Sequence, residues 1–243
     1  MKKILFRRRE GVYLPEINAY MSYIRENLPN LQAYDFLENT KEFSEADFDI
    51  VWKFMGLDRG GRTDNVIVHE YGSLSVGQFP KAKNFLKRAV NIKPSLRVFL
   101  NDAVRQEMGF QDSTEYRLRD MGVSSHFFRD SPNPNPEFDF VYSGSLNRGK
   151  VIWDMLHHFK TQMKTSTLLV IGTVPNEIHD MFGTVPNIHF AGRLKYESVP
   201  DAMTRAKYGL NIMPDIYPFN IQTSTKVLEY CAARMPVIST NYA

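Results

Sequence analysis

The chain has little cysteine and no long apolar run, and each shortage excludes a class of protein. Cys231 is the only cysteine and cannot form an internal disulfide, and no cluster of cysteine and histidine has zinc-ligand spacing. No stretch approaches the roughly 18 uncharged apolar residues of a membrane-spanning helix. The apolar part of the segment from Met1 to Arg9 is also too short for a signal peptide. We therefore predict a cytoplasmic protein without a metal.

Two common nucleotide-binding motifs are absent as well. The sequence contains no Gly-x-x-x-x-Gly-Lys-Ser/Thr loop, which would cradle the phosphates of ATP. It also has no Gly-x-Gly-x-x-Gly turn of the kind that binds NAD after a strand. Kinase and dehydrogenase functions are therefore disfavoured.

Negative charge is missing from one long stretch, although the net charge of the whole chain is only +3. No acidic residue lies between Glu70 and Asp102, and apolar spacing predicts an amphipathic helix from Lys81 to Asn91. One interpretation is a helix that rests on anionic lipid as a peripheral contact at the inner face of the membrane. The other is an ordinary surface helix with its apolar side in the core. The basic residues of the predicted helix are Lys81, Lys83, Lys87 and Arg88.

The proline-rich run Ser131-Pro-Asn-Pro-Asn-Pro136 divides the sequence. Neither a helix nor a central strand tolerates it, so it predicts an extended linker. We expect an N-terminal domain over 1–130, a linker over 131–137 and a C-terminal domain over 138–243. Strands and helices alternate in both domains, as parallel sheets require. The predicted fold is α/β, with two Rossmann-like domains whose sheets face each other across a ligand-binding cleft.

Hydrophobic periodicity locates the elements within each domain. In the first domain a helix is predicted from Tyr13 to Asn27, and strands at Lys3–Phe6, Leu31–Phe36, Asp49–Phe54, Asn65–His69 and Leu96–Leu100. In the second domain helices are predicted at Val151–Lys160 and Ser198–Ala206, and strands at Phe138–Tyr142, Thr167–Ile171, Asn187–Phe190 and Tyr208–Met213.

The most informative segment follows the last of these strands. A polar loop leads into a helix that carries Glu229 one turn after its start, and a short apolar strand comes next. A carboxylate at this position can accept hydrogen bonds from both hydroxyls of a ribose. The free backbone N–H groups and the dipole of the helix N-terminus suit a pyrophosphate. Together these features predict a site for a nucleoside diphosphate.

The run Lys226-Val-Leu-Glu229-Tyr-Cys-Ala-Ala-Arg-Met-Pro236-Val-Ile resembles the nucleotide-sugar signature of the retaining, GT-B-fold glycosyltransferases of group 1, which are family 4-like. Other segments follow the family in the same order: Tyr142-Ser-Gly-Ser-Leu-Asn-Arg-Gly-Lys150, Leu168-Leu-Val-Ile-Gly172 and Ile188-His-Phe-Ala-Gly-Arg193. The resemblance also implies that the chain, which stops at Ala243, has a shortened C-terminal domain.

The resemblance further implies a set of binding residues in the second domain. The donor would be a nucleoside diphosphate sugar, and neither a cofactor nor a metal is implied. Asp47-Phe-Asp49 has the Asp-x-Asp form of metal-dependent transferases, but it precedes a strand, so we interpret it as a turn. The residues implied to hold the nucleotide and its phosphates are Gly144, Arg148, Lys150, Arg193, Ser224, Thr225, Lys226 and Glu229.

Two groups in the first domain are candidates for catalysis and for acceptor binding. His69 and Glu70 lie where a predicted strand ends, and both can exchange a proton with an acceptor hydroxyl. Arg7, Arg8 and Arg9 follow the first strand and could bind an anionic acceptor such as a lipid diphosphate.

The predicted function is transfer of a hexosyl group from a nucleoside diphosphate to an acceptor hydroxyl in polysaccharide or glycolipid synthesis. The resemblance implies retention of configuration and no metal. Two alternatives stay open: a non-catalytic GT-B-like protein that binds a nucleotide or a partner, and a nucleotide-sugar epimerase. The first alternative is favoured by Ile221, which stands where many family members carry a second glutamate. No nucleic-acid partner is expected.

Overall fold

The computed structural model describes residues 1–10, 14–38, 43–60 and 64–242. The chain forms two compact units, Met1–Met121 and Gly122–Ala243. The proline-rich run predicted as a linker lies inside the second unit, where Asn133 Nδ2 donates to the carbonyl of Thr204 at 2.9 Å. The boundary between the units therefore precedes the prolines.

The first unit is a parallel sheet with helices in the connections. Its described strands are β1 (Lys2–Arg8), β2 (Leu31–Leu37), β3 (Ile50–Phe54), β4 (Val66–Tyr71), β5 (Leu96–Phe99) and β6 (Glu115–Leu118). Its described helices are α1 (Pro15–Asn27), α2 (Pro80–Val90) and α3 (Asp102–Met108). The strand order is β2-β1-β3-β4-β5-β6, and every neighbouring pair is parallel.

The second unit is also a parallel sheet with helices in the connections. Its described strands are β7 (Phe138–Ser143), β8 (Leu168–Ile171), β9 (Ile188–Gly192), β10 (Ala206–Asn211) and β11 (Val237–Ser239). Its described helices are α4 (Lys150–Thr161), α5 (Asn176–Phe182), α6 (Val199–Met203) and α7 (Thr225–Ala232). The strand order is β11-β10-β7-β8-β9, with all pairs parallel. The order reverses between β7 and β10, and the carboxyl ends of strands at such a reversal are where α/β folds bind ligands.

Both sheets are covered by apolar side chains on their two faces, as parallel sheets require. In β1, Ile4 and Phe6 pack with residues of α1 such as Ile17, whereas Leu5 packs with Val51 on the other face. The second unit has corresponding clusters, one built around helix α4 and the other around the fully buried Tyr230 of α7. Each sheet is therefore the rigid centre of its unit.

The predicted parallel α/β fold is confirmed in both halves, but several elements differ from the prediction. The helix predicted from Ser198 to Ala206 ends at Met203, because Ala206 already pairs with Phe138 as the first residue of β10. Three elements were not predicted, namely α3, α5 and β6. The start predicted for α1 at Tyr13 lies outside the described residues.

Helix α2 is oriented differently from an ordinary surface helix. Its buried residue is Asn84, whose Oδ1 accepts a hydrogen bond from Ser75 N at 3.0 Å, while Phe85 and Leu86 are exposed. The interpretation that its apolar residues enter the core is therefore wrong. Among the helices of the described residues, none combines the length and apolar character needed to cross a bilayer.

Candidate functional site

The strand reversal of the second unit brings a loop and a helix to the same edge of the sheet. Gly144 follows β7 with a φ of +143°, which a residue with a side chain rarely adopts. A Cβ at this position would lie 2.5 Å from Cε of Lys226. Glycine is therefore required for the side chain of Lys226 to lie across the turn.

The position of α7 is fixed by Tyr230. Its phenol oxygen accepts a hydrogen bond from Ser143 N at 3.0 Å and donates to the carbonyl of Val141 at 3.3 Å. Its ring lies against Gly209 of β10, where an added Cβ would approach the ring to 2.5 Å. Lys226 is one turn earlier on the same side of the helix as Tyr230. Docking of Tyr230 on the sheet thus directs Lys226 towards Gly144.

Ser224 joins the start of α7 to the strand ends. It occupies the N-cap position, but its hydroxyl donates to Asn211 Oδ1 at 2.7 Å instead of accepting from the helix. Asn211 Nδ2 in turn donates to Ser239 Oγ at 2.9 Å. No side-chain hydrogen bond from a described residue caps the helix. The positive end of the helix dipole keeps its capacity to attract an anion.

Lys226 is a charged residue in an unusual environment at this edge of the sheet. Its side chain is only 7% exposed, and no described residue accepts a hydrogen bond from it or pairs with it within 4.0 Å. Its ammonium lies 5.6 Å from the centre of the Tyr142 ring. Burial, together with the positive charge of Arg148, lowers the pKa of Lys226 to about 7. A buried cation without a partner is unfavourable, and an anionic ligand would relieve it.

Glu229 lies three residues further along α7 and is half-buried. Burial raises the pKa of its carboxyl group to about 7, against the opposing effect of Lys226. Within the described chain the two side chains form no ion pair, so they are not the ordinary surface pair that their spacing also allows. A carboxylate placed here can accept hydrogen bonds from hydroxyl groups of a ligand.

The remaining basic residues predicted for this site do not all lie together. Arg148 is half-buried at the same edge, with Nη1 at 2.6 Å from the sulfur of Met213 and its guanidinium 5.7 Å from the ring of Phe219. Lys150 is separate, because its side chain is 87% exposed and pairs with Asp154 at 3.1 Å. Arg193 is exposed and follows the edge strand β9.

Two residues of this edge were missed by the sequence analysis. Asn211 is fully buried and fixes Ser224, and Tyr230 anchors the helix. The signal for Asn211 was present, since a polar residue near the carboxyl end of an apolar strand is a typical binding-site position. Tyr230 gave no comparable signal, because a tyrosine in an amphipathic helix is equally typical of an ordinary core.

In the first unit, His69 and Glu70 lie within β4, and neither follows it. The strand continues to Tyr71, so the expectation that it ends in these two groups is wrong. His69 is fully buried with Nε2 at 3.0 Å from Asp58 Oδ2. Glu70 is buried on the opposite face, with Arg119 Nε at 2.8 Å from its carboxylate. Both side chains are buried and do not reach solvent in this structure. Their role in proton transfer stays a prediction.

The charge state of His69 follows from its surroundings. Burial lowers its pKa, while the carboxylate of Asp58 opposes that effect. Nδ1 has no hydrogen-bond partner among the described residues, so a second proton on the ring would be a buried, unsatisfied donor. For Asp58, burial alone would raise the pKa, but hydrogen bonds from His69 and Gly60 and the charge of Lys53 hold it well below its usual range. The pair is therefore a neutral histidine donating to a carboxylate.

β1 extends to Arg8, so Arg7 and Arg8 lie within the strand, only Arg9 follows it, and the expectation that all three follow the first strand is wrong. All three arginines have acidic partners, which offset their charges. Their role in acceptor binding therefore stays a prediction. The pairs are Arg7 Nε with Glu45 Oε1 at 3.6 Å, Arg8 Nε with Asp35 Oδ1 at 3.0 Å, and Arg9 Nε with Glu38 Oε2 at 3.4 Å.

Comparison with solved structures identifies the fold. HepE from Anabaena, in complex with UDP-glucose, matches with a TM-score of 0.67 at 12% identity, over 98% of this chain and 80% of that chain. Sucrose-phosphate synthase from Thermosynechococcus elongatus gives a TM-score of 0.70 at 12% identity, over 98% and 81%. T4 phage β-glucosyltransferase gives 0.56 at 12% identity, over 100% and 80%. No protein-family model and no curated protein matches the sequence.

These structures are GT-B glycosyltransferases, so the chain has the α/β fold of that class, with a parallel sheet in each unit. The predicted fold class is confirmed. At such low identity the likeness concerns the fold alone.

Replacing Lys226 by methionine should stabilise the protein. Because the pKa of Lys226 falls from 10.5 to about 7 on folding, the penalty is largest at pH 7 and below and disappears as pH rises towards 10.5. We expect Lys226→Met to raise the free energy of unfolding by on the order of 1–3 kcal/mol at pH 7, measured by urea denaturation. Lys164→Met, at an exposed position, is the control and should change little. A destabilised Lys226→Met protein would show that the ammonium is favourably placed without a ligand.

The buried His69 and Asp58 pair should make the fold sensitive to acid. The pKa values of both groups are lowered by folding, so the unfolded chain binds more protons and stability falls as pH drops below about 6.5, the reference pKa of histidine. His69→Gln can still donate to Asp58 but cannot be protonated, so it should flatten the loss between about pH 6.5 and 5. Urea denaturation at several pH values measures this, with His158→Gln as an exposed control. The same slope in wild type and His69→Gln would contradict the assignment.

Proposed function

We propose that the protein is a glycosyltransferase that moves a sugar from a nucleoside diphosphate to an acceptor hydroxyl. The observation that carries the proposal is the largely buried Lys226, which has no hydrogen-bond or ion-pair partner among the described residues. It lies beside the end of α7 that no described side chain caps, with Glu229 one turn away. The fold supports it, because HepE, which shares this fold, was solved with UDP-glucose and with UDP.

The ligand would lie across the carboxyl ends of β7 and β10. Its diphosphate would lie over the Gly144 turn, between Lys226, Arg148 and the N-terminus of α7. Glu229 would accept hydrogen bonds from the ribose hydroxyls. The two α7 residues are about 4.5 Å apart along the helix axis, so one small molecule can reach both. Lys150, Arg193 and Thr225 complete the proposed set of contacts to the phosphates and the base.

The same groups would promote the reaction. As the bond between the anomeric carbon and the diphosphate breaks, negative charge grows on the departing phosphate oxygen, where Lys226 and Arg148 would stabilise it. The acceptor oxygen forms the new bond to the anomeric carbon, and its proton passes to a phosphate oxygen of the leaving group. We propose retention of configuration and no metal, as the resemblance to family 4 implies.

The acceptor side of the proposal rests on the first unit. Arg9 is the most exposed of the three arginines at the end of β1, with half of its side chain accessible to solvent. An anionic, lipid-linked or carbohydrate acceptor is the proposed partner, in polysaccharide or glycolipid synthesis in the cytoplasm.

A non-catalytic nucleotide-binding protein is the second candidate, and Ile221 favours it. This residue ends the short 3-10 turn before α7, and it cannot provide the hydrogen bonds of the glutamate that stands there in many family members. A donor-hydrolysis assay separates the candidates. A transferase releases free sugar slowly from UDP-glucose in the absence of an acceptor, whereas the non-catalytic protein binds the donor and releases none.

Removing either charged group of α7 should weaken nucleotide binding. Lost hydrogen bonds to charged groups predict about a ten- to hundredfold lower affinity for UDP in Glu229→Gln and Lys226→Met, measured by isothermal titration calorimetry. Lys164→Gln is the control for a lost exposed charge. GDP and ADP are titrated in parallel to identify the base. Unchanged affinity in both variants would refute the proposed site.

Nucleotide affinity should also depend on pH from both sides. Lys226 must be protonated to hold the diphosphate, so affinity falls as pH rises above about 7. Glu229 must be ionised to accept from the ribose, so affinity falls as pH drops below about 7. Calorimetry across this range should give a maximum near neutrality, and Glu229→Gln should lose only the acidic limb. A profile without a maximum would contradict these assignments.

A further inference from the structure

Helix α2 attaches to the first unit through polar groups. Asn84 is buried and holds Ser75 N, and the half-buried Lys87 directs Nζ towards the carbonyl of Met55 at 3.4 Å. Burial, together with the positive charges of Arg9 and Lys83, lowers the pKa of Lys87. These two residues are three apart and lie on the same side of the helix. The residue of α2 that is fully buried is therefore polar, and among its apolar residues only Pro80 and Val90 are half-buried, which is the reverse of an ordinary amphipathic surface helix.

The outward side of α2 is apolar. With 100° of rotation per residue, Ala82, Phe85, Leu86 and Ala89 lie on the side opposite Asn84 and Lys87, and all four are exposed. Phe85 is 60% exposed, and Phe79, just before the helix, is 77% exposed. A continuous apolar surface of this kind is typical of a contact with a partner or a membrane.

Basic side chains border this apolar surface. Lys81 and Arg88 lie along one border and Lys83 along the other, and the sequence contains no acidic residue between Glu70 and Asp102. The guanidinium of Arg88 is 5.1 Å from the centre of the Phe85 ring, so charge and apolar area are adjacent. Long basic side chains can keep their charged ends at lipid headgroups while their stems lie against apolar surface. An apolar centre with a cationic border complements an anionic bilayer.

We propose that α2 lies in the surface of an anionic lipid bilayer, with Phe79, Phe85 and Leu86 among the acyl chains and Lys81, Lys83 and Arg88 at the headgroups. Lys87, which the sequence placed with this set, faces inward and takes no part. The inference does not depend on the proposed function, because lipid binding needs neither a donor nor an acceptor.

The test is co-sedimentation of the intact chain with vesicles of phosphatidylcholine alone or mixed equally with phosphatidylglycerol. We expect binding to the mixed vesicles, and release at about 1 M NaCl, where the screening length is only about 3 Å. Phe85→Ser should weaken binding about tenfold or more, because the ring leaves the acyl region. Phe128→Ser is the matched control, since Phe128 is 61% exposed, and should bind like wild type.

The cationic border is tested in the same assay. Lys81→Gln and Lys83→Gln should each lower the affinity about fivefold, and Lys164→Gln should not. Because these positions are exposed, circular dichroism and the melting temperature should show that the variants fold as wild type does.

Five outcomes would overturn the proposal. Wild type could fail to bind mixed vesicles, or bind the neutral ones equally well. Phe85→Ser and Phe128→Ser could have equal effects. Phe85→Ser could change the mass in analytical ultracentrifugation without changing vesicle binding, which would assign the surface to a second copy of the chain. Finally, duplex DNA could compete fully with the vesicles while Phe85→Ser has no effect, which would assign the cationic border to nucleic acid.

Discussion

The second unit depends on one unfavourable placement, the largely buried side chain of Lys226, whose ammonium has no hydrogen-bond or ion-pair partner among the described residues. Gly144 leaves room for it, Tyr230 docks the helix that carries it, and the link from Ser224 to Asn211 fixes where that helix begins. An isolated buried charge is unfavourable, and the contacts that hold Lys226 in place are why we propose that an anion binds there. The N-terminus of α7 adds its positive dipole at the same point, which also favours a negatively charged ligand.

The buried charged groups of the first unit differ from Lys226 because they have partners. Glu70 pairs with Arg119, and the neutral ring of His69 donates to Asp58, so each group is compensated within the unit. Such pairs are expensive to break, since removal of one partner leaves the other buried and uncompensated. They hold the sheet and its connections together, and both carboxylates already have a partner within the unit, so neither depends on a ligand for one. This contrast is why we assign the binding site to the second unit.

Sequence reasoning predicted the parts of this site that depend on local order. The strand, the helix and the position of Glu229 one turn into it follow from spacing along one continuous segment, and all are present. The burial of Lys226 could not be predicted, since it depends on a glycine turn from a distant strand. The same limit explains α2: periodicity shows that a helix has two unlike sides, but only the packing of Asn84 and Lys87 shows which side faces inward. β4 ends at Tyr71, two residues beyond the predicted end at His69. His69 and Glu70 therefore lie inside the sheet and not at its edge.

Lys226 and the outward side of α2 both depart from the usual placement of charged groups in water and apolar groups in the core. One is a cation on a largely buried side chain, and the other is a set of apolar side chains exposed to water. Each arrangement is unfavourable in the isolated chain, and each would become favourable with its proposed partner, a diphosphate for Lys226 and an anionic bilayer for α2. Because the two features belong to separate units, neither explains the other. Under the two proposals, α2 would hold the protein at a membrane surface, where a lipid-linked acceptor of the activated sugar would also lie.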